Sequence, residues 1–120
     1  MRQKDKIVVK KILGEIQEIE SFLSGLDEAA FLRQKLHQKA VVMSLINIGE
    51  LTKALSEEYR AKNNSISWSK IIGLRNLAAH HYGAVTMENI WLTVNQSIPE
   101  LKEAVDREFH QSKEEMFLDI

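Results

Sequence analysis

Residues 75–83 read RNLAAHHYG, which gathers an arginine, an asparagine, two adjacent histidines and a tyrosine within nine positions of a chain that has only four histidines and two tyrosines. An arginine fork can hold a phosphate through two parallel hydrogen bonds, a histidine near neutral pKa can move protons, and an asparagine or tyrosine can orient either one. The skeleton of arginine, four residues and histidine is cheap, since five arginines and four histidines in 120 positions produce it by chance roughly one time in six. Arg33 with His37 and Arg107 with His110 also lie close together, and both pairs read as solvated faces of charged helices. The 75–82 segment differs because its polar groups collect where a helix ends. Geometry adds a condition: at 100° per residue Arg75 and Tyr82 share a face, whereas His80 points about 140° away from Arg75. A working site therefore needs the helix to unwind after Arg75, or a second subunit to complete it. The plain alternative is a helix C-terminus in which histidine favours the dipole.

These residues need a scaffold, and the periodicity of the chain is helical. From Asp5 to about Ser24 the apolar residues Val8, Ile12, Ile16, Ile19 and Leu23 recur every three or four positions, which predicts an amphipathic helix that stops at Gly25. Asp27 is placed to cap a second stretch that starts Glu28-Ala29-Ala30 and keeps its pattern to about Arg60. Inside it KAVVMSLINIGELTKAL is apolar on more than one face and is the expected central helix. Gly49 there costs about 1 kcal/mol relative to alanine and suits the close approach of another helix. AKNNSIS, residues 61–67, is the clearest loop. Ser65 or Ser67 then caps a helix carrying Trp68, Ile71, Ile72, Leu74 and Leu77, which leads straight into the motif. Gly83 is a left-handed terminator, and Thr86 caps a last helix with Ile90, Trp91, Val94, Leu101, Val105 and Phe109. Pro99 is expected to kink or restart that helix, because Ser97-Ile98-Pro99-Glu100 has capping-box spacing. With no period-two alternation, hairpin signal or internal repeat, the expectation is one all-α domain over residues 1–120. It is an up-and-down bundle of four long helices with room for a short fifth.

Composition narrows the chemistry. A content of 44% hydrophobic and 28% charged residues is ordinary for a globular domain of this size. The absence of cysteine removes disulfides, thiolate nucleophiles and cysteine-ligated metals. A net charge of −1, with lysine and arginine spread along the chain, neither proposes nor excludes a nucleic-acid partner. The opening MRQKDKIVVKKILGEI breaks its apolar run at Lys10 and Lys11, unlike a signal or membrane segment, so a soluble cytoplasmic protein is expected. No glycine-flanked serine or phosphate-cradling glycine loop is present. His80 and His81 diverge by about 100° on a helix, and His110 and Glu114 add no third ligand at motif spacing, so no metal or other cofactor is expected. Trp68 and Trp91 read as core residues.

Three longer stretches, NIGELTKALSEEY, ISWSKIIGLRNLAAHHY and MENIWLTVNQSIPELKEAV, resemble the HepT-like branch of the HEPN superfamily. These are small all-α proteins encoded beside a minimal nucleotidyltransferase (MNT). The resemblance covers roughly residues 7 to 108, and its elements come in the family's order: Gly49-Glu50, Trp68, Gly73-Leu74-Arg75-Asn76, His80-x-Tyr82, Trp91 and Pro99. It implies a metal-independent endoribonuclease, the toxin of a toxin–antitoxin pair, with a site shared by the two subunits of a homodimer. Arg75 would hold the scissile phosphate of the RNA. His80 would act as general base or acid for attack by the 2′-hydroxyl, and Asn76 would orient phosphate or histidine. Tyr82 would accept AMP from the MNT antitoxin, which silences the site. His81 and Glu50 are auxiliary candidates. This chain departs from the family at His81, often acidic in relatives, at Gly83, often a bulky aromatic, at Leu51, usually alanine, and in the Ser-Ile-Ser run before Trp68.

Two other functions fit the same residues. One is a non-catalytic helical partner of a nucleotidyltransferase that holds a nucleotide or phosphate in the same cleft. The other is a plain dimerisation bundle in which Glu50 and Arg75 form a buried ion pair.

Overall fold

The structure, a computed structural model, describes the backbone of residues 1–80 and 86–118 and the side chains of residues 1–74 and 86–107. Six helices and no strand occur among the described residues: α1 (Gln3–Leu23), α2 (Glu28–Arg33), α3 (Lys35–Lys53), α4 (Glu57–Lys62), α5 (Trp68–His80) and α6 (Met87–Leu118). The all-α expectation holds, with four long helices and two short ones where one had been expected.

Local signals set several boundaries. α1 is followed by Gly25 at φ +77°, a conformation that costs glycine nothing because it has no Cβ. The Asp27 carboxylate then accepts the Ala30 N–H at 2.8 Å, capping α2. Thr86 does the same for α6, its hydroxyl accepting the Asn89 N–H at 3.2 Å. Ser67 precedes α5, and its carbonyl accepts from the backbone of Lys70 and Ile71.

The single helix expected from residue 28 to about 60 is instead broken twice. At Gln34 the backbone is extended (φ −115°, ψ 91°), and the Phe31 carbonyl accepts both the Gln34 N–H and the Gln38 side-chain amide, the latter at 2.9 Å. The bend lets Phe31, fully buried, reach the Trp91 ring with centroids 5.4 Å apart. The second break is made by Ser56, whose hydroxyl accepts the Tyr59 N–H and caps α4. Ser56 is tied in turn to Asp5, which accepts its N–H at 2.9 Å and its hydroxyl at 2.6 Å. α4 takes in Ala61 and Lys62, so the loop is shorter than AKNNSIS.

α3 is the central helix, as its two-faced apolar pattern requires. It packs against α1 on one side and α5 on the other, while α6 covers α1 and α2. Val9, Ile12, Ile16, Phe31, Val41, Leu45, Ile48, Leu101 and Val105 form the centre of the core, each nearly or fully buried. Each such side chain contributes about 1.5–3 kcal/mol on leaving water. Gly49 is buried on α3. Pro99 lies inside a continuous α6, so no restart occurs at Ser97; the proline simply leaves the Asn95 carbonyl without its intrahelical donor. Among the described residues, no helix is long and apolar enough to cross a membrane.

Candidate active site

The motif sits on α5, and the start of α5 is fixed before the motif begins. Ile71 and Leu74 bury one face of it in the core. Trp68 is half-buried, and its indole N–H donates to the carbonyls of Arg60 and Asn63 at 2.9 and 3.1 Å. Its ring also tilts against Tyr59, with centroids 6.2 Å apart. Trp68 thus packs as expected and also ties the α4–α5 loop to the root of the helix that carries the motif.

From there the helix runs without interruption to His80, so it carries Arg75, Asn76 and His80 on its last turns. Of the two ways in which Arg75 and His80 could be brought together, unwinding after Arg75 does not occur. Five residues of regular helix separate their Cα atoms by about 7.5 Å along the axis and about 140° around it, which is about 8.7 Å in space. The side chains of Arg75, Asn76 and His80, and the whole of His81, Tyr82 and Gly83, lie outside the described residues. So do His110 and Glu114 as side chains.

Glu50 lies on α3 with its carboxylate 49% exposed and 3.8 Å from the Lys53 ammonium. Whether it pairs with Arg75 turns on a side chain that lies outside the described residues. Glu50 borders a surface groove of about 440 Å³ between α1 and α3, together with Lys11, Gly14, Glu15, Glu18, Asn47 and Leu51. Arg33 and Arg107 are exposed, as solvated faces require. His37 is half-buried instead, with a buried Nδ1 that has no hydrogen-bond partner. Trp91 is half-buried against Phe31.

Sequence reasoning missed Asp5, Ser56 and Gln38 as positioning residues. Asp5 had left a signal: it falls in register with Val8, Val9 and Ile12 on the buried face of α1, a carboxylate where an apolar residue belongs.

Comparison with known proteins bears on most of the chain. The family model described as Ribonuclease HepT-like matches residues 12–108. A protein of Caldanaerobacter subterraneus subsp. tengcongensis named as a candidate RNase is 31% identical over 105 residues, covering 88% of this chain and 94% of its own length. A candidate RNase of Methanocaldococcus jannaschii is 27% identical over 101 residues, 84% of this chain and 93% of its own. A Thermococcus cleftensis protein named as a candidate ribonuclease HepT is 30% identical over 102 residues, 85% of this chain and 93% of its own. No solved structure matches at a comparable level of significance.

Proposed function

Because the chain belongs to the HepT-like ribonuclease family, we propose that it is a metal-independent endoribonuclease whose site is shared between two copies of the chain. The observation that carries this reading is that the family span, residues 12–108, encloses the entire Arg75-Asn76…His80-x-Tyr82 set, and that Arg75, Asn76 and His80 lie on a helix rooted in the core. The divergence of Arg75 and His80 on that continuous helix favours a composite site, in which residues of one copy meet those of the other.

The chemistry follows from the side chains. The Arg75 fork holds a non-bridging oxygen of the scissile phosphate and offsets the charge that builds there during attack. His80 removes the proton of the neighbouring 2′-hydroxyl, whose oxygen attacks phosphorus while the 5′-oxygen of the next nucleotide leaves and is protonated. The products are a 2′,3′-cyclic phosphate and a 5′-hydroxyl. A shared site contains two copies of His80, enough to take one proton and return another. Asn76 orients the phosphate or the imidazole. His81 is a second proton carrier close by, and Glu50 lies on the neighbouring α3.

Purified wild-type protein should cut RNA, leave DNA of the same sequence intact and work in chelator, with a 2′,3′-cyclic phosphate on the product. RNA that survives wild type as well as it survives His80→Ala ends the nuclease reading, and nucleotide binding without cleavage would replace it with a non-catalytic partner role. Control is assigned to Tyr82, whose phenol oxygen, losing its proton, takes AMP from ATP held by a cognate MNT antitoxin as pyrophosphate leaves, and so places a bulky anion beside Arg75. Coexpression with that enzyme should add one or more AMP masses to wild type and none to Tyr82→Phe.

A further inference from the structure

Residues 59–87 hold no aspartate or glutamate, in a chain that carries 17 acidic residues. α5 lies wholly inside that span and is the only one of the six helices without a carboxylate, its lysine and arginine being Lys70 and Arg75. A net charge of −1 for the whole chain therefore hides a local cationic span, and that span coincides with the helix that bears the motif. Glu100 and Glu103 of α6 flank Ser65 and Ile66 of the preceding loop together with Arg107, in a groove that no residue of α5 lines.

The register of α5 separates its two sides. Ile71 and Leu74 are buried in the core. At 100° per residue, positions 69, 73, 76 and 80 all fall within about 40° of the line opposite Ile71, on the side turned away from the core. Gly73 is the unexpected residue among them. Of the described glycines only Gly25 has a positive φ, and a Cβ built on Gly73 meets no atom within 4 Å. Neither backbone geometry nor packing among the described residues asks for glycine there, and a glycine inside a helix is less stable than an alanine. Gly49, by contrast, is buried on α3. The open space above Gly73 is clearance for something outside the chain. Gly73 stands seven residues before His80, which sets the two about 20° apart around the helix and about 10.5 Å apart along it. One turn further back, Ser69 and Lys70 are exposed, and Lys70 makes no ion pair among the described residues.

We infer that this side of α5 is the track of the RNA strand. Its sugar–phosphate backbone passes closest to the helix at Gly73, and Lys70 binds a phosphate other than the scissile one, so that the strand reaches His80 already aligned. The end of the track at His80 rests on the nuclease reading above, whereas its course rests on clearance and charge. A polyanion suits a span in which no carboxylate repels it. A protein partner suits it less, because Ile7, Leu36, Met43 and Leu92, the exposed large apolar side chains of the described residues, all lie on other helices, and the centre of a protein interface draws on such anchors. Gly14 on α1 has the same clearance, but Glu15, Glu18 and Glu50 border it against Lys11 and the Lys53 that pairs with Glu50, a poor setting for phosphates.

The test uses the whole chain and a short single-stranded RNA of mixed sequence, intact for cleavage and with its 2′-hydroxyls replaced by fluorine for binding, since the fluorinated strand has no nucleophile. Gly73→Ala and Gly73→Leu should sediment as wild type does, and Gly73→Ala should melt at a higher temperature. Both should bind the fluorinated strand more weakly in order of size, by about tenfold and about a hundredfold, and their loss in cleavage should fall on KM rather than on kcat. Lys70→Ala should flatten the slope of log affinity against log salt by about 0.7, the mark of one lost phosphate contact, while Lys70→Arg should keep it. No binding of the strand by wild type, wild-type affinity in Gly73→Leu, or an unchanged salt slope in Lys70→Ala overturns the track. A Gly73→Leu that alters sedimentation assigns the clearance to a second protein chain and overturns it as well. The two readings fail separately. Cleavage at wild-type KM in both Gly73→Leu and Lys70→Ala sinks the track and leaves the nuclease. A wild type that binds the fluorinated strand with these graded losses and cuts no RNA sinks the nuclease and leaves the track.

Discussion

Arg75 and His80 differ in what can replace them. An arginine that holds a phosphate by its planar fork is not replaced by lysine, which offers one compact charge, so Arg75→Lys should lose nearly as much cleavage as Arg75→Ala, about 10²–10³-fold in kcat. Both variants should unfold within about 0.5 kcal/mol of wild type, because a side chain spent on substrate leaves little behind when removed. Chemical denaturation beside a cleavage assay checks the pair of statements, and a loss of several kcal/mol with Arg75→Ala would return the residue to a structural role. At this scale the sequence was readable wherever a residue acts on its own neighbours. Asp27 capping Ala30 and Gly25 turning the chain need only residues three or four positions away. Asp5 was not readable as a tie, because its partner Ser56 is 51 residues distant and nothing in either neighbourhood names the other.

Helices follow the same division. The C-terminal end of α1 and the start of α6 were legible from local signals, and the two-faced pattern of α3 correctly announced the central helix. The breaks at Gln34 and Ser56 were not, since a helical pattern continues through both and only tertiary contacts stop it: Phe31 must turn inward to Trp91, and Ser56 is drawn to Asp5. Pro99 shows the reverse case, a strong local breaker overruled by burial. Leu101 and Val105 are fully buried two and six residues beyond it, and Ile98 immediately before it is 3% exposed, so packing on both sides carries the helix through. The helix still lacks one hydrogen bond there. Pro99→Ala should restore the donor for Asn95 and raise stability by about 1–3 kcal/mol, read as a higher denaturation midpoint. A lower midpoint would mean that the ring contributes more by filling the α1–α6 groove than it costs the helix.

For the molecule as a whole, the core was legible and the site only in part. Val8, Ile12, Ile16, Ile19, Ile71, Leu74, Ile90, Val94, Leu101 and Val105 were expected on buried faces and are buried. Their number makes the fold tolerant at the surface and exacting inside, and Phe31→Ala, which empties a fully buried ring site, should cost about 3–5 kcal/mol in equilibrium unfolding. The motif was visible as a set of residue types, while the angular spread of Arg75 and His80 along one helix leaves its completion to the composite site proposed above. The Asp5–Ser56 tie has a practical side. It fastens the first turn of the chain to the cap of α4, α4 to Trp68 through Tyr59, and Trp68 to the root of the motif helix. Asp5→Ala should cost about 2–3 kcal/mol by stranding the Ser56 donors. A purification handle that disturbs the first five residues would act on the same hinge pin, loosening from one end of the polypeptide a helix whose working groups lie some seventy positions away. Enzyme preparations differing only in their leader should then differ in melting temperature before they differ in anything a cleavage gel can show.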